Sequence, residues 1–315
     1  MPERPNILVV GSINMDLVLR TTRMPQAGET VLGSKFITTP GGKGANQAVG
    51  VARLGGRCRF IGRVGDDAFG AQLAGSLRAE GIDCADVMVT PEAPTGVAII
   101  LVDAQGENRI VVAPGANHMV TPDDLFSREE VFKLSSVVLL QLELPLPTVR
   151  AAIDIARRNG CKIILDPAPA PAQGICDDLC RVDVLSPNVT EAEVLTKRKA
   201  VDERGDKLVA SDLIGRGAQT VVLKLGARGS LVVMADGHFY TVAPYKVDVV
   251  DTTGAGDAFN AALAVAIARG DNMHQAARFA SATGSLACTR YGAQAAMPLA
   301  DEVKALMILA TEMEG

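Results

Sequence analysis

Tryptophan is missing from this 315-residue chain, and aromatic residues make up only 3% of it. A core without large rings has to be filled by aliphatic side chains and alanine. At 48% hydrophobic content there are enough of these for one large core with a small appendage, which suits helices layered on a sheet. Basic runs are missing too. Lys and Arg number 31 against 36 Asp and Glu, the net charge is −5, and no basic run reaches five residues. That balance argues against a nucleic-acid binder held by a basic face. No apolar run approaches the roughly 20 residues a membrane span needs, and the N-terminal Met-Pro-Glu-Arg-Pro-Asn leads straight into a short strand rather than a signal peptide. Cys58, Cys84, Cys161, Cys176, Cys180 and Cys288 form no C-x-x-C pair, and Cys176 and Cys180 have no nearby His, a poor zinc pattern. Buried or bystander thiols in a reducing cytoplasm are expected. No internal repeat, low-complexity tract or long linker interrupts the chain.

What is present is alternation. An apolar β run at 6–10 ends at Gly11, as the first strand of an α/β sheet does. From residue 121 helical patterns (122–133, 147–158, 190–195, 206–216) alternate with strand patterns (137–141, 162–166, 182–185, 220–224). Such repetition predicts a mostly parallel sheet covered on both faces, a three-layer α/β/α sandwich. Hairpin signals close the pattern at 231–242, and long alanine-rich helices are expected at 258–269 and 273–288, with a terminal helix from 299. Four further β segments (17–20, 29–38, 96–103 and 108–113) do not alternate with helices and are expected to form a small inserted sheet, a lid over the site. The chain is thus read as one α/β domain over 1–315, with lid segments at 16–40 and 96–113.

Val-Asp-Thr-Thr-Gly-Ala-Gly-Asp-Ala-Phe-Asn, residues 250–260, carries the chemistry. Gly254 and Gly256 permit a tight turn and close approach to a ligand, and the segment sits where a loop enters a helix. Free N–H groups and the helix dipole favour an anion there. Asp257 beside such an anion hole can take a proton from an attacking hydroxyl, as phosphoryl transfer requires. Asp is also a preferred helix-capping residue, so on this stretch alone Asp257 either caps or catalyses. A second glycine-rich loop, residues 40–47 (Pro-Gly-Gly-Lys-Gly-Ala-Asn-Gln), opens a helix expected at 48–54 without the spacing of a Walker loop. Gly42, Lys43 and Asn46 suit a polyhydroxylated ligand. Asn14 and Asp16, two apart, point the same way if extended. Glu143, Asp166, Asn188 with Glu191, and Gly226 with Gly229 each follow a strand, so polar groups gather at one sheet edge, where open α/β sheets bind ligands.

Gly41-Gly42-Lys43-Gly44-Ala45-Asn46 and Asp251-Thr252-Thr253-Gly254-Ala255-Gly256-Asp257 resemble, in order, the two signatures of the ribokinase-like carbohydrate kinases, and Asn188-Val189-Thr190-Glu191 resembles the family's N-x-x-E element. The likeness covers the whole chain. It implies transfer of the γ-phosphoryl group of ATP to a sugar's primary hydroxyl, O5 of D-ribose. On that resemblance Asp257 is the base and the N–H groups of Gly254, Ala255 and Gly256 cradle the phosphoryl group. Asn14, Asp16, Gly42, Lys43, Asn46, Glu143 and Asp257 bind the sugar. Asn188, Lys224, Leu225, Gly226, Ala227, Arg228, Gly229, Gly256, Asp257 and Ser281 meet ATP, with Asn188 and Glu191 organising Mg2+. A potassium ion takes oxygens from Asp251, Thr253, Ala287, Arg290 and Gly292. Three positions depart from the family pattern: Asp166 stands where Asn is usual, Ala296 where Ser is expected, and Lys224 in place of a Thr near the nucleotide. Two other readings remain: a kinase for 2-deoxyribose, fructose, a ketoaldonate or a nucleoside, and a non-catalytic sugar-binding protein. Val97, Ile99 and Leu101 alternate onto one apolar face of the inserted sheet, which either folds onto its own domain or needs other cover, and the resemblance favours a homodimer paired through the lids.

Overall fold

Strand sequences such as Val-Val-Leu-Leu show no polar alternation, and such strands are stable only when both faces are covered. The computed structural model, which describes residues 5–314, has this arrangement. In chain order the elements are β1 (Asn6–Val10), β2 (Asn14–Thr21), β3 (Gly33–Gly41), α1 (Lys43–Arg53), β4 (Arg57–Gly65), α2 (Ala68–Ala79), β5 (Asp83–Thr90), β6 (Gly96–Val102) and β7 (Asn108–Ala113). There follow α3 (Pro122–Phe126), α4 (Glu129–Lys133), β8 (Val137–Leu140), α5 (Leu146–Arg158), β9 (Lys162–Leu165), α6 (Asp177–Cys180), β10 (Val184–Leu185), α7 (Val189–Thr196) and α8 (Glu203–Gly215). The chain ends with β11 (Thr220–Lys224), β12 (Ser230–Met234), β13 (Phe239–Val242), α9 (Ala255–Ala268), α10 (Met273–Ala287) and α11 (Ala300–Glu314).

Nine strands form the main sheet in the order β13-β12-β11-β10-β9-β8-β1-β4-β5. Strands β11 to β5 along that order are parallel, and β12 and β13 add an antiparallel edge. Successive residues of β1 face opposite layers. Ile7 and Val9 pack into one core with alanine-rich α9 and with Val49 and Val51 of α1, while Leu8 and Val10 join Ile153 of α5, Leu195 of α7 and Leu213 of α8 in a second. The three-layer sandwich expected from the alternation is therefore formed, and its aliphatic cores need no large ring. A separate four-stranded sheet, ordered β3-β2-β6-β7, stands off from it as the lid segments were expected to. Among the described residues no helix is long and apolar enough to cross a membrane.

Several boundaries differ from the sequence expectation. Helix α1 starts at Lys43 rather than 48, and α9 at Ala255 rather than 258. Glycines in both first turns lower local helix propensity, and tertiary packing overrides it. The span 122–133 is two short helices, because Thr121 and Asp124 form a capping box at the start of α3 and the turn breaks after Phe126. Strand β5 is the edge next to β4 and has no counterpart in the sequence reading; its polar Asp83 and Asp86 interrupt the apolar pattern that marks the inner strands.

Candidate active site

A cup of polar side chains is built where β1 ends and β2 begins. Strand β2 is extended from Asn14 onward, so Asn14 and Asp16 do share a face. Asn117 fixes the first of them: its Nδ2 donates to Asn14 Oδ1 at 2.8 Å, while its own Oδ1 accepts from Ile13 N at 2.9 Å. The carboxylate of Asp16 lies against Gly41, where any Cβ would overlap it. Gly42 caps α1 with φ 88°, and a side chain there would meet Asn14 N at 2.7 Å. Glycine is thus required for the loop to turn across β2. Glu143 closes the cup from the end of β8; it accepts from Lys43 N at 3.1 Å and from the Ser12 hydroxyl. Burial, with Glu143 and Asp257 nearby, pushes Asp16 up to about 7. Lys43 is pulled down by burial, but Asp257, Asp166, Glu143 and Glu191 outweigh this and hold its ammonium above the usual lysine range.

Asp257 sits in the first turn of α9, only 5% exposed. The cap position belongs to Gly254, at φ 77° with no side-chain cap bond, so the capping alternative for Asp257 is set aside. Its carboxylate is clamped by consecutive amides of α1: Asn46 Nδ2 donates to Oδ2 at 2.9 Å and Gln47 Nε2 to Oδ1 at 3.0 Å. Burial pushes Asp257 up to about 6; Lys43 opposes the rise, Asp166 adds to it, and the two amide bonds lower it. A carboxylate poised there can take a proton near neutral pH.

The start of α9 also carries backbone donors open to an anion. Ala255 N reaches back to Thr252 O at 3.2 Å, while the N–H groups of Gly254, Gly256 and Asp257 find no acceptor among the described residues. Of the three N–H groups expected to form the cradle, those of Gly254 and Gly256 are open and that of Ala255 is turned to Thr252 O; Asp257 N is open as well. Lys224, at the end of β11, has its ammonium 3.7 Å from where a Gly256 side chain would begin, and 2.9 Å from Asp166 Oδ1.

The remaining predicted residues fall around this centre. Asn188 and Glu191 brace each other in a capping box at α7, and burial and Asp166 raise Glu191. Gly226, Ala227 and Gly229 form an exposed tight loop after β11, closed by Leu225 N to Gly229 O at 2.8 Å. Arg228 is in that loop, and its guanidinium pairs with buried Asp206 while the side chain stays 47% exposed. Ser281 is buried, with Oγ 3.3 Å from Ala243 O. In the loop expected to hold a cation, Asp251 accepts from Thr253 N at 2.9 Å and Gly292 N at 2.9 Å, and these bonds hold it below the usual carboxylate range despite partial burial. The Arg290 side chain pairs with Glu302, which leaves only its carbonyl for a cation. Among the described residues no three His, Cys, Asp or Glu side chains cluster as a metal-binding group.

The sequence reading did not single out Ser12, Gln47, Asn117 or Gln141. Gln47 is fully buried and also donates to Asp166 Oδ2 at 3.0 Å; its Oε1 accepts from Gln141 at 2.6 Å. Its place directly after Asn46 in the glycine-rich loop was the available signal. Asn117 had none.

A buried base beside open amides at a helix start, under a cup of polar side chains, defines a phosphotransferase acting on a small hydroxylated molecule. The model of the pfkB family carbohydrate kinases matches residues 4–300. The chain belongs to that family. It is similar to the ribokinase of Bacillus subtilis (39% identical over 303 residues, covering 96% of this chain and 99% of the relative) and to the deoxyribokinase of Salmonella typhi (33% over 293 residues, 93% and 95%). Among solved structures it resembles the ribokinase of Arabidopsis thaliana complexed with ribose and ATP, with TM-score 0.89, 33% identity and coverage of 97% of this chain and 99% of that one.

Proposed function

We propose that this kinase transfers the γ-phosphoryl group of ATP to O5 of D-ribose, giving D-ribose 5-phosphate and ADP. The observation that carries the reading is the Asp257 carboxylate, fixed by Asn46 and Gln47 next to the open amides of α9. Asp257 takes the proton of the 5-hydroxyl as O5 bonds to the γ-phosphorus and the bond to the ADP oxygen breaks. Charge building on the transferred group meets the N–H groups of Gly254, Gly256 and Asp257, where preorganised donors act most strongly. Asn14, Asp16, Lys43, Asn46 and Glu143 hold the other hydroxyls, and the loop at Leu225–Gly229 with Ser281 lies at the nucleotide end. The Arabidopsis thaliana relative in complex with ribose and ATP supports the pairing of substrates.

Magnesium, when bound, neutralises phosphate charge; Asn188 and Glu191 would organise it through phosphate oxygens and water. The ionised Asp251 and the loop it ties to Thr253 and Gly292 fit a potassium ion, with carbonyls of Ala287 and Arg290 completing the oxygens. Ala296 is fully buried and has no hydroxyl, so it contributes at most its carbonyl. The lid favours a homodimer. Val97 and Leu101 are half-buried, but Phe36 (62% exposed), Ile110 (54%) and Val111 (68%) leave apolar surface and open edges for a second lid to cover. A cytoplasmic enzyme fits the six free cysteines and the ATP donor.

Deoxyribose is the second reading, favoured by the Salmonella typhi relative. A coupled ADP-release assay over ribose, 2-deoxyribose, fructose and adenosine, with and without potassium, separates them. Ribose is expected to give the highest kcat/KM, with potassium raising turnover; preference for any other sugar overturns the substrate assignment. Sedimentation at micromolar concentration is expected to show a dimer.

A further inference from the structure

We infer that Lys224 is a catalytic residue whose ammonium binds the transferring phosphoryl group, and that Asp166 is the positioning residue holding it ready. The inference rests on the phosphotransferase reading of the site but not on the identity of the sugar.

Lys224 and Asp166 end strands that flank β10, and the lysine side chain crosses that strand's end to reach the carboxylate. The backbone of Lys224 is pinned by its N–H to Pro187 O at 2.9 Å and by a bridge to Asn188. Its side chain is 12% exposed and that of Asp166 is 2%. An ammonium has three N–H donors, and only one of these has an acceptor among the described residues, Asp166 Oδ1 at 2.9 Å. The ammonium itself lies over the first turn of α9, 3.7 Å from the side-chain position of Gly256, whose N–H is open. Unused lysine donors and unused backbone donors therefore lie together, where the transferring phosphoryl group and its three oxygens would sit.

Stability alone gives a poor account of this pair. A buried ion pair is often no better for folding than apolar groups of the same size. Asp166 is moreover placed between two donors, since its Oδ2 accepts from Gln47, which also holds Asp257. The carboxylate thus aims Lys224 without closing off its other two N–H groups. As negative charge shifts during transfer from the γ-phosphoryl oxygens to the leaving ADP oxygen, a lysine at this end of the cradle can follow it, a role no fixed amide can fill.

The test uses Lys224→Met, Lys224→Arg and the double variant Asp166→Asn with Lys224→Met, in the full chain. Removal of one charge-stabilising donor in such a site lowers turnover by roughly 10²–10³-fold. Lys224→Met is expected to lose kcat to about that extent while sugar KM stays within about threefold, and Lys224→Arg is expected to keep part of the turnover. Calorimetry with ADP and with β,γ-methylene-ATP, without any sugar, should show the analogue weakened much more than ADP. The double variant should regain the thermal stability of the wild type but not its turnover. Recovery of turnover in the double variant, or equal weakening of ADP and the analogue, would reduce the pair to a structural bridge. The nucleotide comparison stands even where the sugar panel selects another acceptor, so the two readings fail separately.

Discussion

Helices α1 and α9 begin alike and do opposite things. Each is capped by a glycine at positive φ with no side-chain cap bond. At α1 the protein itself answers the exposed donors: Lys43 N goes to Glu143, Gly44 N to the Ser12 hydroxyl at 3.3 Å and Ala45 N to Ser12 O at 2.9 Å. At α9 the donors of Gly254, Gly256 and Asp257 are left open. A helix start satisfied from within is scaffold, and here it aims side chains. A helix start left open is a site for an anion. The two glycine-rich loops thus divide the work: α1 supplies the side chains of Lys43, Asn46 and Gln47, and α9 supplies open backbone donors and the carboxylate proposed as the base.

Substitutions can break that division. The largest effect is expected from Asp257→Asn, which removes the base: kcat should fall by roughly 10²–10⁴-fold with sugar affinity nearly kept, read by steady-state kinetics and calorimetry. Turnover near wild type would remove Asp257 from the mechanism. Gly254→Ala and Gly42→Ala sharpen the contrast. Gly254→Ala places a Cβ 2.9 Å from Ala293 Cα and disturbs the open cradle, so kcat should drop by roughly 10²-fold. Gly42→Ala strains the sugar cup, with a destabilisation of about 1–3 kcal/mol, and sugar KM should rise more than kcat falls. Equal kinetic signatures for the two variants would erase the difference drawn between the helices.

Gln47→Leu tests whether α1 aims the base. One of the two amide bonds to Asp257 goes, and a loss of about tenfold in kcat is expected, with ATP affinity unchanged and the acid limb of the pH profile moved upward. The mildest test is pH itself. Asp257 acts as a base only when ionised, and its folded pKa lies above the ordinary carboxylate value, at about 6. Turnover should therefore fall as pH drops through 6 and level off above it. Asp16, pushed to about 7, becomes a donor instead of an acceptor as it protonates, so the limb for kcat/KM of the sugar should begin nearer 7. A flat profile between pH 5 and 8 would contradict both.

Much of this was legible in the chain. The uninterrupted apolar strands and alanine-rich helices forced a layered α/β fold, and glycines two apart before Asp257 marked a loop opening a helix. Local pattern failed where a neighbour distant in sequence decides the outcome. Strand β5 forms because β4 offers it an edge, although Asp83 and Asp86 break its apolar run. Arg228 lies in the expected nucleotide loop, and its pairing with buried Asp206, 22 positions away, was not visible in the local pattern.

The sequence by itself marked the two glycine-rich loops that open helices, the carboxylate at the second and the segments of the small sheet, because backbone freedom, hydrophobic period and residue chemistry are local; where each helix begins was decided by packing. Only the tertiary structure decided that Asn46 and Gln47 reach Asp257 across more than 200 positions, that Lys224 meets Asp166, and that the base is dry enough to titrate near 6. Such contacts depend on how the layers stack, and the pKa depends on the water the stacking excludes. Neither quantity exists until the chain is folded.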